Sequence, residues 1–285
     1  MAAGRIGPKP ILRYAQEKSY SSEVTHTSRI AASSTRDRDQ MGGLAKGLRL
    51  IEAFDAAHTR LTLSEAARLT GISPAAARRC LLTLRELGYV QSDGKWFWLG
   101  HGALRVAYAY ASSTRLPRLL QPVLDGLSER TRESATLSVL DGHQVVIAAR
   151  STARQTMRVG LGVGSRLPLY CSAAGRVLLA ALPAAQWEPL VRREPMTPLT
   201  PHTVTTLAGL RRALARCRET GYASCDEEIE LGVRSIAIPM LNQAGETVAA
   251  MSISTHAQRM TTSEMVRLYL PGMLRSREWA RLRMG

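Results

Sequence analysis

The stretch GISPAAARRCLLTLRELGYV, residues 71–90, predicts a short helix with a marked start and a marked end. Ser73 followed by Pro74 is typical of an N-cap and a first helical turn, because the N–H that proline lacks would have no partner there. We expect Gly88 to end the helix. The spacing predicts an inward apolar stripe, formed by Ala77, Leu81, Leu84 and Leu87.

A second helix is predicted directly before this one, in TLSEAARLTG, residues 62–71. Thr62 and Glu65 have the spacing of a capping box, in which each side chain accepts a hydrogen bond from the backbone N–H of the other residue. We expect a helix over 63–70 that ends at Gly71 in a left-handed conformation. Leu48 and Ile51 recur at helical spacing upstream and predict a further helix from about residue 44.

The segment YVQSDGKWFWLG, residues 89–100, predicts a β-hairpin over 89–91 and 96–99 with a tight turn at Asp93 and Gly94. We expect one or two of its aromatic residues to pack on the preceding helix; these residues are Trp96, Phe97 and Trp98. Stacking of the aromatic run on single-stranded bases is the alternative. Two helices and a hairpin in this order predict a winged helix-turn-helix.

In such a motif the second helix enters the major groove, where arginine contacts guanine or phosphate, and the hairpin runs along the backbone. An arginine-bearing helix that is only a solvated surface element is the alternative. The positions away from the apolar stripe, with the hairpin tip, give the candidate DNA-binding residues Ser73, Ala75, Ala76, Arg78, Arg79, Thr83, Arg85 and Lys95.

The charge balance also favours a polyanionic partner, because 38 Lys and Arg face 23 Asp and Glu, a net charge of +15. The four cysteines have neither CxxC nor zinc-site spacing, so we expect no disulfide framework, no metal site and a reducing cytoplasm. No apolar run approaches the length of a membrane span, so we expect no membrane partner.

The chain is predicted to contain a disordered tail over 1–42, a winged helix-turn-helix domain over 43–102, a linker helix over 103–116 and a second domain over 117–285. Within that second domain we predict strands and helices in alternation, which favours an α+β fold with a largely antiparallel sheet. The predicted strands are 135–140, 144–150, 156–160, 234–241 and 247–255, and the predicted helices are 173–182, 207–220 and 262–282.

The winged motif and three later segments resemble the IclR family of bacterial transcriptional regulators over about residues 41–283. The segments are LGVGSRLPLYCSAAGRVLLA at 161–180, CDEEIELGVRSIAIPM at 225–240 and AAMSIS at 249–254. The phrase DEEIELGVRSIAIPM is most similar to the subgroup that controls β-ketoadipate and related aromatic-acid catabolism. The resemblance implies a GAF-like effector domain, dimers formed through the N-terminal and linker helices, and often pairs of dimers on DNA.

The resemblance also implies an effector site beneath the loop SRLPLYCSAAG, residues 165–175. By position it would comprise Ala173 and Ala174 at the loop-to-helix junction, Cys225, Val233 and Ser235 on the opposite wall, and Ser252 and Ser254 on the facing strand. Hydroxyls and a helix N-terminus suit a carboxylate without a buried cation. Cys225 stands where some family members have an acidic residue, which leaves the identity of the ligand open.

Two of these interpretations have alternatives. Ser252 and Ser254 share one face of their predicted strand, and that face is either the binding site or solvent. Arg234 is expected to pair with the neighbouring acids of the segment 226–230, and a carboxylate clamp is the other reading.

Together these features predict a ligand-responsive transcriptional regulator of catabolic genes that senses a small aromatic or aliphatic organic acid. Its expected partners are double-stranded promoter DNA, the acid, and a second copy in a homodimer or a dimer of dimers, with RNA polymerase a further candidate. We expect no cofactor and no catalytic residues, because GLGVG at 160–164 lacks a following helix and no GxSxG, HExxH or P-loop occurs. An architectural DNA-binding protein, or an enzyme in the C-terminal domain, is the alternative.

Overall fold

The computed structural model describes residues 40–55, 57–152 and 161–284. These residues form two compact units, divided between Ser113 and Thr114. Residues 1–39 of the predicted tail and the predicted strand at 156–160 lie outside the described residues.

The first unit contains four helices and a three-stranded sheet within the described residues. Its elements are α1 Gly42–Glu52, β1 Leu61–Thr62, α2 Leu63–Thr70, α3 Pro74–Glu86, β2 Val90–Ser92, β3 Trp96–Leu99 and α4 Gly102–Ser113. The strand order is β1-β3-β2, and both pairs are antiparallel. The predicted winged helix-turn-helix is therefore confirmed, with the short strand β1 as an addition that the sequence pattern did not indicate.

The predicted caps fix the turn between α2 and α3. The Thr62 hydroxyl accepts from the backbone N–H of Glu65, and the Glu65 carboxylate accepts from that of Thr62, so the capping box is confirmed. Gly71 ends α2 with φ +65°, a conformation that costs glycine little. The Ser73 hydroxyl accepts from Ala76 N–H at 3.4 Å and begins α3, with Pro74 as its first residue.

The apolar side of α3 packs on α1 and α2 through Ala77, Leu81 and Leu84, as predicted. The prediction for Leu87 is wrong, since this residue is 57% exposed. Leu87 follows the last helical residue, and the chain turns away at Gly88 directly after it. The placement of Ala76 off the buried side is also wrong, because Ala76 is 7% exposed; its small side chain belongs to the core shared with α2.

The end of the hairpin is held against the end of α3 by a close approach of backbones. The N–H of Gly102 donates to the carbonyl oxygen of Gly88 at 3.0 Å. A Cβ at Gly102 would lie 2.5 Å from that oxygen, and one at Gly100 would lie 2.6 Å from it. Only glycine fits at both positions, so these residues determine where α4 begins.

The second unit is an α+β domain whose described strands form one antiparallel sheet of order β6-β5-β4-β9-β8-β7. Its elements are α5 Arg115–Thr131, β4 Ser134–Asp141, β5 Gln144–Ser151, β6 Arg166–Pro168, α6 Ala173–Ala180, α7 Ala184–Val191, α8 Leu207–Thr220, β7 Ala223–Asp226, β8 Val233–Leu241, β9 Thr247–His256 and α9 Thr262–Arg281. The predicted fold class is confirmed, while β6, β7 and α7 were not predicted.

The sheet has two covered faces, because successive strand residues point to opposite sides. One face packs on α5 and α9 and includes Met251 and Ile253. The other face packs on α6 and α8 and includes Ala237 and Ala250. We call the second one the α6 face; it also carries the polar residues of the predicted effector site.

Candidate DNA-binding face and effector site

The exposed side of α3 carries most of the predicted DNA-binding residues. The structure places Ser73, Ala75, Arg78, Arg79, Thr83 and Arg85 on its solvent side and Ala76 in the core. The Thr83 hydroxyl donates to the carbonyl oxygen of Arg79 at 3.0 Å, which holds the threonine against its own helix. Its role in direct contact with bases is therefore weaker than that of the arginines.

The three arginines of α3 are available to an anionic partner. None of Arg78, Arg79 and Arg85 forms a salt bridge with a described residue. Glu86 is the one acidic residue of the helix, and it lies at the C-terminal end. The middle and start of this exposed face are thus positively charged, as a surface that contacts phosphates requires.

The hairpin tip is ordered by Asp93, whose carboxylate accepts from the backbone N–H groups of Lys95 and Trp96 at 3.0 and 2.8 Å. The hydrogen bond from Trp96 N–H is the main reason that the pKa of Asp93 is lowered from its usual value. Lys95 is exposed, and its Nζ lies 5.8 Å from the ring centroid of Trp96. The tip therefore presents a cation on a fixed turn.

The aromatic run divides between core and surface. Phe97 is buried with the α3 core residues, so the predicted packing of this run on the helix is confirmed for it. The Trp98 indole N–H donates to Gln91 Oε1 at 2.8 Å, and the Arg60 guanidinium covers its ring at 4.5 Å. A free stacking platform for single-stranded bases is therefore not formed at Trp98.

Arg60 is a basic residue of this surface that sequence reasoning missed. It precedes β1, and the pairing of Leu61 with Phe97 brings it beside the hairpin. The signal lay in a two-residue strand, which is too short to be recognised from alternation.

In the second unit, the strand residues of the predicted effector site lie together on the α6 face. Cys225, Ser235, Ser254 and Ser134 are direct neighbours across β7, β8, β9 and β4. Val233 is two residues before Ser235 and shares its side of β8. We call the four neighbours Cys225, Ser235, Ser254 and Ser134 the serine row.

A second row runs beside the first through Ala237, Ser252, Thr136 and Arg150, on β8, β9, β4 and β5. The hydroxyls of Thr136 and Ser252 are 2.6 Å apart and share a hydrogen bond. Ser252 is 7% exposed, so the alternative that places it on a solvent face is wrong. We call this set the arginine row.

The start of α6 closes one side of this polar region. The Ser172 hydroxyl caps the helix by accepting from Gly175 N–H at 3.0 Å, and it donates to the carbonyl oxygen of Pro168 at 2.6 Å. Ala173 and Ala174 are the first two helical residues and belong to the same buried cluster as Cys225. The structure thus brings the predicted loop-to-helix junction and the thiol of the serine row into one cluster.

Arg150 is a cation on the α6 face that the predicted site did not include. Its guanidinium donates to Ser134 Oγ at 3.1 Å, to Thr152 Oγ1 at 3.0 Å and to the carbonyl oxygen of Leu161. Burial lowers the pKa of this half-buried group. Arg150 is the last residue of the predicted strand 144–150, and only the register with β4 shows which face it occupies.

The acidic segment after Cys225 is committed to internal pairs. Arg234 pairs with Asp226 and also donates to the carbonyl oxygens of Ala257 and Met260, which confirms the predicted pairing. Glu228 pairs with Arg176 of α6. Because Arg234 already forms these contacts, its geometry does not support the alternative in which it clamps the carboxylate of a ligand.

The Cys225 thiol is neutral in this environment. Burial is the largest cause that raises its pKa well above the usual value, and burial also raises the pKa of Cys171 to about 12. Cys225 therefore contributes a small, weakly polar surface to the serine row rather than a charge.

The described residues include no group of three or more His, Cys, Asp or Glu side chains placed to hold a metal ion. None of the helices within the described ranges is long and apolar enough to span a membrane.

A helix-turn-helix with an exposed basic second helix and a basic hairpin, joined in one chain to an α+β unit whose sheet carries a row of hydroxyls, defines the class of DNA-binding transcriptional regulators. A family model described as IclR helix-turn-helix domain matches residues 43–94, and one described as bacterial transcriptional regulator IclR C-terminal matches residues 108–280. The chain belongs to the IclR family.

Individual relatives extend this result. The chain is 39% identical over 241 residues to the Pca regulon regulatory protein of Pseudomonas putida. The matched residues cover 84% of this chain and 83% of the relative. It is 38% identical to the p-hydroxybenzoate hydroxylase transcriptional activator of Acinetobacter baylyi, over 83% of this chain and 89% of the relative. A crystal structure of an IclR homolog complexed with 4-hydroxybenzoate from Microbacterium hydrocarbonoxydans has a TM-score of 0.70 at 26% identity, covering 85% of this chain and 99% of that one.

Proposed function

We propose that this regulator controls genes of aromatic-acid catabolism in response to a small organic acid. The observation that carries the proposal is the set of polar side chains on the α6 face, where two rows of hydroxyls and a guanidinium lie on the same face as a buried apolar cluster. Such a combination suits a ligand with one charged end and an apolar body. Two relatives are named for the Pca regulon and for p-hydroxybenzoate hydroxylase, and one similar structure holds 4-hydroxybenzoate.

The DNA contacts are assigned to the exposed side of α3 and the hairpin tip. Arg78, Arg79 and Arg85 reach the major groove, and Lys95 contacts the backbone beside it. Within this proposal residues 43–102 are the DNA-binding domain, 103–116 the linker and 117–285 the effector domain.

The partner copy is assigned to an exposed apolar surface of the first unit. Large apolar side chains on α1 and α4 face solvent, namely Leu44, Leu48, Leu104, Val106 and Tyr108. A second copy of this chain would cover them, and two recognition helices would then read two half-sites. One short helix covers too few base pairs for selection in a genome, so the dimer is also what DNA recognition requires.

The regulatory step is a shift between subunit arrangements. An acid that binds one arrangement more tightly than the other changes the spacing of the two recognition helices and hence the affinity for promoter DNA. Pairing of two dimers on one operator and contact with RNA polymerase are further steps of the same proposal.

The experiment uses the full chain, a duplex from upstream of its own gene and a random duplex of equal length. Fluorescence anisotropy gives both affinities with and without 4-hydroxybenzoate, protocatechuate or adipate, and thermal melting gives ligand binding. We expect one acid to raise the melting temperature and to change only the affinity for the upstream duplex. Sequence-selective DNA binding that no acid alters would favour the architectural alternative, and consumption of the acid would favour the enzyme.

A further inference from the structure

We infer that Arg150 binds the carboxylate of the effector, so that the ligand lies with its charged end over β4 and β5 and its apolar body toward β8. This inference rests on the proposed function, since it assigns the anion-binding side chain of the same site. It places the charged end of the ligand on a residue outside the set that the family resemblance indicates.

Arg150 lies on the same face of the sheet as the hydroxyls of the arginine row. Arg150 is paired with Thr136, and Thr136 is paired with Ser252, so the guanidinium-bearing strand continues the row of hydroxyls. Directly paired residues of antiparallel strands have their Cβ atoms about 5 Å apart on the same face. Arg150 therefore lies at the end of the arginine row, on the side away from Ala237.

The described partners of the Arg150 guanidinium carry no negative charge. Among the described residues its guanidinium donates to Ser134 Oγ, Thr152 Oγ1 and the carbonyl oxygen of Leu161, which are all neutral. A guanidinium has five N–H donors, so the described residues leave about two of them for a ligand. No described carboxylate lies within salt-bridge distance of Arg150.

Two other arginines of the same unit, unlike Arg150, are paired with carboxylates of the chain. Arg176 is paired with Glu228 and Arg234 with Asp226, so their charges are neutralised within the chain. A partly buried cation without a counter-ion is costly, and an incoming carboxylate removes that cost. Arg150 is the cation of the α6 face that is left for a ligand to neutralise.

The two rows are more polar at the β4 and β5 end than at the β7 and β8 end. At the β4 and β5 end stand Arg150, Ser134 and Thr136, while at the β7 and β8 end Ala223, Ala237 and the neutral Cys225 thiol accompany a single hydroxyl, that of Ser235. A carboxylate is favoured at the first end and an apolar body at the second. The rows thus specify the orientation of the ligand as well as its charge.

The test compares an acid with its neutral amide on the full-length protein. Isothermal titration first identifies which of 4-hydroxybenzoate, protocatechuate and adipate binds wild type most tightly. The corresponding amide, in which the charged oxygen is replaced by NH₂, is then titrated into wild type, Arg150→Met and Arg150→Lys. Arg211→Gln is the matched control, since this arginine lies on α8, is exposed and pairs with Glu188.

We expect wild type and Arg211→Gln to prefer the acid over the amide by about tenfold or more, because a charge-assisted hydrogen bond is about twice as strong as a neutral one. Arg150→Met should bind acid and amide equally, and Arg150→Lys should keep part of the preference. Amide binding by Arg150→Met also shows that its site is folded.

Two results would overturn the inference in different ways. An unchanged preference for the acid in Arg150→Met would move the carboxylate elsewhere and leave the proposed function intact. Failure of wild type to bind any of the three acids would remove the proposed function together with the role of Arg150. If Arg150→Met does not fold, Arg150→Gln takes its place as the neutral variant, and an unchanged preference for the acid in that folded variant would contradict the assignment.

Discussion

The Arg176 guanidinium donates to both carboxylate oxygens of Glu228 at 2.6 Å, and both side chains are buried. The same arginine donates to the carbonyl oxygens of Tyr170 and Ser224. The pair therefore ties α6 to the segment that follows Cys225. Because α6 begins at Ala173, this ion pair holds the two sides of the proposed effector site in place.

Breaking this pair should destabilise the second unit severely. Arg176→Met leaves a buried carboxylate without its partner, and the expected loss is about 3–5 kcal/mol in the free energy of unfolding. Urea unfolding followed by the fluorescence of the buried Trp187 measures it. Arg211→Gln, which removes an exposed arginine from Glu188, should cost less than about 1 kcal/mol. Equal losses in the two variants would refute the role given to Arg176.

The cysteines should differ sharply in reactivity. Burial raises the pKa of Cys171 to about 12, of Cys217 to about 11 and of Cys225 well above its usual value, so these thiols stay protonated at pH 8. Since the thiolate is the reactive form, we expect an aromatic disulfide reagent to modify only the half-buried Cys80 rapidly in the folded protein. All four should react in urea. Rapid modification of Cys225 without denaturant would contradict the described burial.

A charge on the exposed apolar surface of α4 should prevent association. Leu104 is 65% exposed, and Leu104→Glu should give a folded monomer in sedimentation equilibrium where wild type is a dimer. Leu231→Glu introduces the same charge at an exposed leucine of the second unit and should leave the dimer unchanged. A dimeric Leu104→Glu protein would place the interface elsewhere.

Lys95 should act on DNA affinity without regard to sequence. Lys95→Ala should weaken binding to upstream and random duplexes alike, and should reduce the slope of log affinity against log salt by about one per protomer. Arg212→Ala, an exposed arginine on α8, matches the loss of charge and should change neither. A loss confined to the upstream duplex would instead make Lys95 a base-reading residue.

The helix-turn-helix was predictable because its signals are local. The Thr62 and Glu65 capping box, the left-handed Gly71 and the Ser73 N-cap each depend on residues within one turn. The two errors on α3, at Ala76 and Leu87, have a different origin. Helical periodicity predicts the direction in which a side chain points. It does not predict whether residues of other elements reach far enough along the helix to cover that side chain.

The residues of the proposed effector site were only partly predictable, because strand register brings them together. Family resemblance indicated Ser252 and Ser254, whereas Ser134, Thr136 and Arg150 join them only through the pairing of β4 with β5 and β9. A β-bulge between Leu137 and Ser138 further shifts that pairing, which alternation alone does not reveal. Arg60 was missed for the same reason, since β1 pairs across the hairpin.

The central claim is that the exposed side of α3 reads DNA, and affinity for the upstream duplex relative to a random duplex tests it most directly. At matched salt, the double variant Arg78→Ala and Arg79→Ala should lose about tenfold or more of this ratio while its melting temperature stays that of wild type. Arg212→Ala with Arg216→Ala, equal in charge and also exposed on α8, should keep the full ratio. An unchanged ratio in the Arg78 and Arg79 variant would contradict the account.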